Sequence, residues 1–159
     1  MGLALIRIDD RLIHGQVVES WIPHLGINET VVACDEAASD EISRTLMRLS
    51  LPESVNLRVL KVAEAARYLA GRLNGEKRIL VLVPGPAEIL TLLQAGVRLT
   101  TVNVGGMHYS AGKMQIGKAI FLSDADSKNL KDIAARGVQI EGRGVPSDKA
   151  MNLSQMLGD

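Results

Sequence analysis

The sequence predicts an α/β fold: one domain over residues 1–159, with a mostly parallel central sheet of about seven strands and helices on both faces. Short runs of aliphatic and β-branched residues alternate with helix-like segments along the chain. Most of these runs are apolar throughout, which is typical of strands that are covered on both faces. The seven runs are residues 3–8, 30–34, 57–60, 79–83, 101–104, 119–122 and 138–140.

The segments between the runs carry helix signals. A helix is predicted from Gln16 to about His24, with Gly26 as its stop. A capping serine or aspartate, or a proline at the start and a glycine at the end, marks several of the others. These helices are predicted over residues 40–51, 63–73, 87–95 and 123–137, with a short last one over residues 148–157.

Composition narrows the class of protein. The 159 residues are 47% hydrophobic and 23% charged, which are ordinary values for a globular chain. The 18 basic residues balance the 18 acidic ones, so nothing indicates nucleic-acid binding by bulk electrostatics. One cysteine, Cys34, excludes an internal disulfide and a cysteine-rich zinc site. With no signal-like or membrane-spanning segment, we expect a cytoplasmic protein that does not itself span a membrane.

Functional sites in parallel sheets form beyond the carboxyl ends of the strands, which selects four loops. They follow the first, second, fourth and fifth strands, at residues 9–15, 35–38, 84–86 and 105–112. Which of them adjoin depends on strand order, which the sequence does not reveal.

The first of these loops combines the residue types that a histidine needs in order to carry a phosphoryl group. His14 is its one side chain that is both nucleophilic and titratable near neutral pH. Arg11 offers a planar set of donors suited to phosphate. Asp9 or Asp10 can hold one imidazole nitrogen and leave the other free to attack. The helix that follows adds free N–H groups, which favour an anion.

The loop NVGGMHYSAGK, residues 103–113, is the second candidate, with His108 as the alternative nucleophile. Its paired glycines permit close backbone approach. Its spacing is wrong for a Walker-type nucleotide site, because five residues separate Gly106 from Gly112 and Met114 follows Lys113. The histidines show no metal-ligand spacing, so no metal site is predicted.

Four stretches of the chain resemble the enzyme IIB component of the mannose/fructose/sorbose family of the bacterial phosphoenolpyruvate-dependent sugar phosphotransferase system. The most specific is RIDDRLIHGQV at residues 7–17, which is similar to the family's active-site sequence. The others are NVGGMHYSAGK, EKRILVLVPGPAEILTLLQAGV at residues 76–97 and GVPSDK at residues 144–149. Together they span nearly the whole chain.

The resemblance implies a phosphoryl carrier. A phosphorylated cytosolic IIA protein would pass its phosphoryl group to Nδ1 of His14, and the chain would pass it to a sugar imported through membrane IIC/IID proteins. The chain would then associate peripherally with that membrane complex. It also implies a mostly parallel seven-stranded sheet. Neither metal nor nucleotide cofactor is expected, since the donor is phosphohistidine.

As a phosphoryl carrier, the chain would use the residues around His14 in specific roles. Arg11 and the backbone N–H groups near Gly15 would hold the phosphoryl oxygens, and Asp10 would orient the His14 imidazole or balance Arg11. Two alternatives stay open from the residues alone. One is a small α/β hydrolase or isomerase that uses His14 as general base. The other is a non-catalytic module that senses anions.

Overall fold

The computed structural model describes residues 2–157 and confirms the α/β architecture, with a seven-stranded, mostly parallel sheet. The strands of this sheet are β1 (Leu3–Asp9), β2 (Glu29–Ala33), β3 (Asn56–Leu60), β4 (Ile79–Val83), β5 (Thr101–Gly106), β8 (Gln139–Gly142) and β9 (Met151–Asn152). Their order across the sheet is β3-β2-β4-β1-β5-β8-β9, and only the β8–β9 pair is antiparallel. β6 (Met114–Gly117) and β7 (Ile120–Leu122) form a separate antiparallel hairpin.

The helices follow the strands closely. They are α1 (Ile22–Leu25), α2 (Asp35–Ala38), α3 (Glu41–Ser50), α4 (Val62–Leu69), α5 (Pro86–Gln94), α6 (Asp124–Ala135) and α7 (Leu153–Met156). A π-helical turn, Val17–Trp21, leads into α1, which ends at Gly26 in the left-handed conformation that favours glycine. The Asp40 side chain caps α3, and Ser123 with Asp126 forms the predicted capping box of α6.

Two predicted elements are wrong in detail. The sixth apolar run, residues 119–122, belongs to the β6–β7 hairpin and not to the main sheet. The seventh strand of the sheet is β9, inside the segment predicted as a helix over residues 148–157. Only α7 remains of that helix. A two-residue edge strand gives no periodicity in sequence, because it exists only through its pairing with β8.

Buried aliphatic side chains cover both faces of the sheet. One face is covered by the π-helical turn, by α1 and by α3 with the residue that follows it, which contribute Val17, Ile22, Met47 and Leu51. On the other, α4, α5 and α6 contribute Leu69, Ile89, Leu92 and Leu130. The helices after β1 and β5 therefore lie on opposite faces, although these two strands are neighbours. Such a reversal opens a crevice at the carboxyl ends of the two strands, where ligands bind in sheets of this type.

Candidate phosphoryl-transfer site

The site begins with a buried arginine in the middle of β1. Arg7 carries a charge, yet it is fully buried between the core residues Ile6 and Ile8. Its guanidinium donates to Asp9 Oδ2 at 3.1 Å and to Gln16 Oε1 at 2.9 Å. Nη1 donates to Asn103 Oδ1 at 2.8 Å and to the carbonyl of Arg143 at 2.9 Å. Burial lowers the pKa of Arg7, and the nearby Asp9 carboxylate opposes that shift.

Sequence reasoning did not assign a role to Arg7. A signal was present, because a charged residue inside an otherwise apolar run is costly unless it is paired. Asn103 in β5 is also fully buried and was equally overlooked. Their partners come from β1, the following loop and the end of β8, which sequence alone does not place together.

Asp9, the last residue of β1, connects the groups of the site. Its side chain is fully buried. Oδ2 accepts from Arg7 at 3.1 Å, from Arg11 Nη2 at 3.2 Å, and lies 3.0 Å from His14 Nε2. Oδ1 accepts from the backbone N–H and from Nε of Arg11, both at 3.1 Å. Burial raises the pKa of this carboxyl, but the hydrogen bonds from His14 and Arg11 outweigh burial and hold the pKa well below its usual value. Asp9 is therefore a carboxylate at neutral pH.

The loop between Asp9 and His14 turns through a strained residue. Leu12 has a φ of 58°, a left-handed conformation that is uncommon for a residue with a branched side chain. The N–H of Leu12 donates to the Asp9 carbonyl at 2.9 Å, which closes the turn. This turn brings His14 back against the Asp9 carboxylate. Strain of this kind persists where surrounding contacts enforce it, and it is concentrated at functional sites.

His14 lies where β1 gives way to the helix, with 15% of its side chain exposed. The ionised Asp9 carboxylate accepts hydrogen bonds only, so a neutral imidazole places its proton on Nε2. Nδ1 then keeps its lone pair. The carbonyl of His14 accepts from Val17 and Val18 at 3.0 Å, which fixes the backbone of the histidine. This arrangement prepares Nδ1 to act as a nucleophile.

Arg11 stands beside His14 on the same carboxylate. Besides its two contacts with Asp9, Nη2 donates to Gln16 Oε1 at 3.2 Å. The side chain is 37% exposed, and within residues 2–157 its Nη1 makes no hydrogen bond. Arg11 is thus held on one side by Asp9 and open to solvent on the other.

Asp10 does not contact His14 or balance Arg11, which corrects the role expected for it. It points toward the second candidate loop, where Oδ2 accepts from the N–H of His108 at 2.7 Å. Its Oδ1 is bonded to His108 Nδ1. Asp9 ends β1 and Asp10 begins the turn that follows, so the two adjacent side chains have different partners. Asp9 orients His14, and Asp10 attaches the loop of residues 105–112 to the site.

The paired glycines of that loop make room for arginine side chains. A Cβ on Gly105 would lie 1.9 Å from Arg7 Cζ, so only glycine fits beneath the guanidinium. A Cβ on Gly106 would lie 3.1 Å from Arg11 Nη2. At Gly15, by contrast, a Cβ would meet nothing within 4 Å. The N–H groups of Gly15 and Gln16 donate to no other backbone group in the described part of the chain.

The structure thus joins two of the four predicted loops, those after β1 and β5. The other two serve neighbouring helices: Asp35 Oδ1 accepts from the N–H of Val62 at 2.8 Å, and Gly85 precedes α5. Across residues 2–157 no cluster of three or more metal-ligating side chains occurs. No helix in that same range is long and apolar enough to cross a membrane.

Comparison with known proteins matches the chain as a whole to one family. The family described as "PTS system sorbose subfamily IIB component" matches residues 3–159. The N-acetylgalactosamine-specific phosphotransferase enzyme IIB component 2 of Escherichia coli is 37% identical, with 98% of this chain and 99% of the relative covered. The mannose-specific EIIAB component of Escherichia coli is 34% identical over 99% of this chain, and the chain spans about half (49%) of that relative's length.

Solved structures agree with the sequence matches. The IIBSor domain of the sorbose permease from Klebsiella pneumoniae superimposes with a TM-score of 0.90 at 32% identity, covering 98% of this chain and 95% of that one. The N-acetylgalactosamine-specific IIB component 1 from Escherichia coli gives a TM-score of 0.86 at 33% identity, with 93% and 97% covered.

Proposed function

The chain belongs to the sorbose-subfamily IIB components of the sugar phosphotransferase system, and we propose that it carries a phosphoryl group on Nδ1 of His14. The donor is a phosphorylated cytosolic IIA protein. The acceptor is a sugar bound by membrane IIC/IID proteins, at whose cytoplasmic face the chain works. The observation that carries this proposal is the 3.0 Å contact between His14 Nε2 and the buried Asp9 carboxylate.

That contact supports a chemically complete transfer. The Nδ1 lone pair attacks the phosphorus of the donor's phosphohistidine, so that an N–P bond forms on His14 as the donor's N–P bond breaks. The donor imidazole leaves with the electron pair. The proton on His14 Nε2 stays beside Asp9, which stabilises the positive charge that develops on the ring. In transfer onward a sugar hydroxyl oxygen attacks the phosphorus, the N–P bond on His14 breaks with its electron pair returning to Nδ1, and the hydroxyl proton is released to solvent as the sugar phosphate forms.

Arg11 and the helix start supply the groups that receive the phosphoryl oxygens. A phosphoryl group on His14 brings close to two negative charges at neutral pH. The unpaired Nη1 of Arg11 and the open N–H groups of Gly15 and Gln16 are donors on the solvent side. The space beside Gly15 is empty of protein atoms. Arg11 is 37% exposed and Gly15 is exposed, so this side of the site is open to solvent, as a carrier that meets two partners in turn requires.

The decisive experiment is phosphorylation followed by intact mass. We expect incubation with the general phosphotransferase proteins, a matching IIA and phosphoenolpyruvate to add one phosphoryl group. The label should be lost in acid and survive alkali, as a phosphoramidate does, whereas phosphoserine survives acid and acyl phosphate is lost in alkali.

His14→Ala should fold normally by circular dichroism and accept no phosphoryl group, because the buried Asp9 carboxylate keeps its hydrogen bonds from Arg7 and Arg11 in this variant. Normal labelling of a folded His14→Ala chain, or an acid-stable label, would refute the assignment. A hydrolase or isomerase would instead turn over a free small molecule without gaining mass.

A further inference from the structure

A cationic groove of about 520 Å³ lies beside the His14 site. We define the cationic groove by Lys118, Arg143 and Lys149, which line it together with Arg11 and Gln16 of the site itself. Its wall is firmly built, because the carbonyl of Arg143 accepts from Arg7 and its N–H donates to Val104. The carbonyl of the next residue, Gly144, accepts from Trp21 Nε1 at 2.9 Å. The groove is therefore a fixed extension of the site.

The groove carries more positive than negative charge, because Lys118, Arg143 and Lys149 outnumber the one carboxylate among its lining residues, Asp148. Within residues 2–157, no carboxylate lies within 4.0 Å of the charged nitrogens of Lys118, Arg143 or Lys149. Oδ2 of Asp148 accepts hydrogen bonds from the N–H groups of Gly144 and Val145, and not from any of the three cations. Arg143 Nε is buried without a hydrogen-bond partner, which is a costly state for a polar group. A chain with zero formal net charge concentrates cations here.

We infer that the cationic groove binds a carboxylate-bearing surface of the phosphorylated donor protein, next to the donor's phosphohistidine. This inference rests on the proposed function and names the chemistry by which the donor is recognised. The phosphoryl group itself is met by Arg11 and the helix start, so the three further cations serve anionic groups beyond it. Complementary charge raises the rate of encounter and fixes the orientation of two proteins.

The transfer step also changes the charge of this surface. Before transfer the groove attracts a donor that carries a dianionic phosphoryl group. When the N–P bond on the donor breaks and the bond to His14 Nδ1 forms, those two negative charges move onto this chain beside the groove. They then offset part of its positive charge, which weakens the hold on the donor. Loading and release of the donor are thus coupled to the position of the phosphoryl group.

The test compares two phosphoryl sources. Single-turnover labelling is measured with phosphorylated IIA and with the small molecule phosphoramidate, for the parent chain and for Lys118→Glu, Lys149→Glu and the double variant. Both lysines are exposed, so their replacement should leave folding intact. Lys131→Glu, an equally exposed lysine on α6 and outside the groove, is the matched control.

We expect the ratio of the IIA rate constant to the phosphoramidate rate constant to fall about tenfold or more in the double variant. The fall should shrink at high salt, and Lys131→Glu should keep the parental ratio. Groove variants that keep the parental ratio would overturn the inference while the proposed function stands. So would a loss confined to onward transfer to the membrane proteins. A parent chain that accepts no phosphoryl group from either source would overturn the proposed function as well.

Discussion

Replacing Asp9 with asparagine removes one charge from the most connected carboxylate of the site while keeping its shape. The fully buried Arg7 then loses its counter-ion, and His14 loses the charged acceptor that lies 3.0 Å from its Nε2. Removing one partner of a buried ion pair costs about 3–5 kcal/mol. The asparagine oxygen still accepts hydrogen bonds, so we expect Asp9→Asn to lower the free energy of unfolding by about 3 kcal/mol, near the lower end of that range.

The pH dependence of this effect follows from the pKa of Asp9, which lies below its ordinary value in the folded chain. The ionised carboxylate therefore contributes its full stabilisation when the pH is above the pKa of the unfolded chain's carboxyl, about 3.9. This stabilisation is lost as the pH falls below that value, by up to about 1.4 kcal/mol per pH unit. The difference between the parent and Asp9→Asn should be constant above about pH 5 and shrink below about pH 4.

Urea unfolding of both chains between pH 3 and pH 7 measures this difference. Asp10→Asn is the matched control, because its side chain is partly exposed and bonded to His108. It should cost less than about 1 kcal/mol. Equal stability of the parent and Asp9→Asn at pH 7 would refute the reasoning, and so would a difference that persists unchanged at pH 3.

Three further predictions concern the surroundings of this carboxylate. Gly105→Ala should lower the free energy of unfolding by about 3 kcal/mol or more in urea titration, because its Cβ overlaps the buried Arg7 guanidinium, whereas Gly15→Ala should stay within about 0.5 kcal/mol of the parent; equal losses would contradict the packing. Arg11→Lys should slow single-turnover transfer from phosphorylated IIA about tenfold, and Arg11→Gln should slow it further, since a charged hydrogen bond contributes about 1.5–3 kcal/mol; parental rates would make Arg11 a mere surface charge. His108→Ala should still gain one phosphoryl group by intact mass, because its ring is bonded to Asp10 and not to Asp9; loss of labelling in this variant alone would make His108 the acceptor and refute the assignment to His14.

The fold class could be read from the chain because a buried parallel sheet requires apolar runs, and helices require caps and periodic faces. These are local properties. β9 and the separate β6–β7 hairpin were not predictable in the same way. Their strands are two to four residues long, and their place is decided by pairing with β8 or with each other.

For the site, the loop of residues 9–15 followed from sequence, since a histidine, an arginine and two aspartates stand together after the first strand. The sequence did not indicate which of the two aspartates faces His14. Asp9 and Asp10 are adjacent and chemically identical, and only the folded backbone, which leaves β1 for a turn between them, directs one to His14 and the other to His108.

By itself, then, the sequence determined the alternation of strands and helices up to β5, the loop that contains His14 and the family resemblance. The tertiary structure decided that β1 lies between β4 and β5 and that Gly105 makes room for the buried Arg7. It also placed Lys118, Arg143 and Lys149 beside Arg11, more than 100 residues away along the chain. The physical reason is that local propensities depend on neighbouring residues, whereas strand order and the pairing of distant charges depend on the packing of the whole chain.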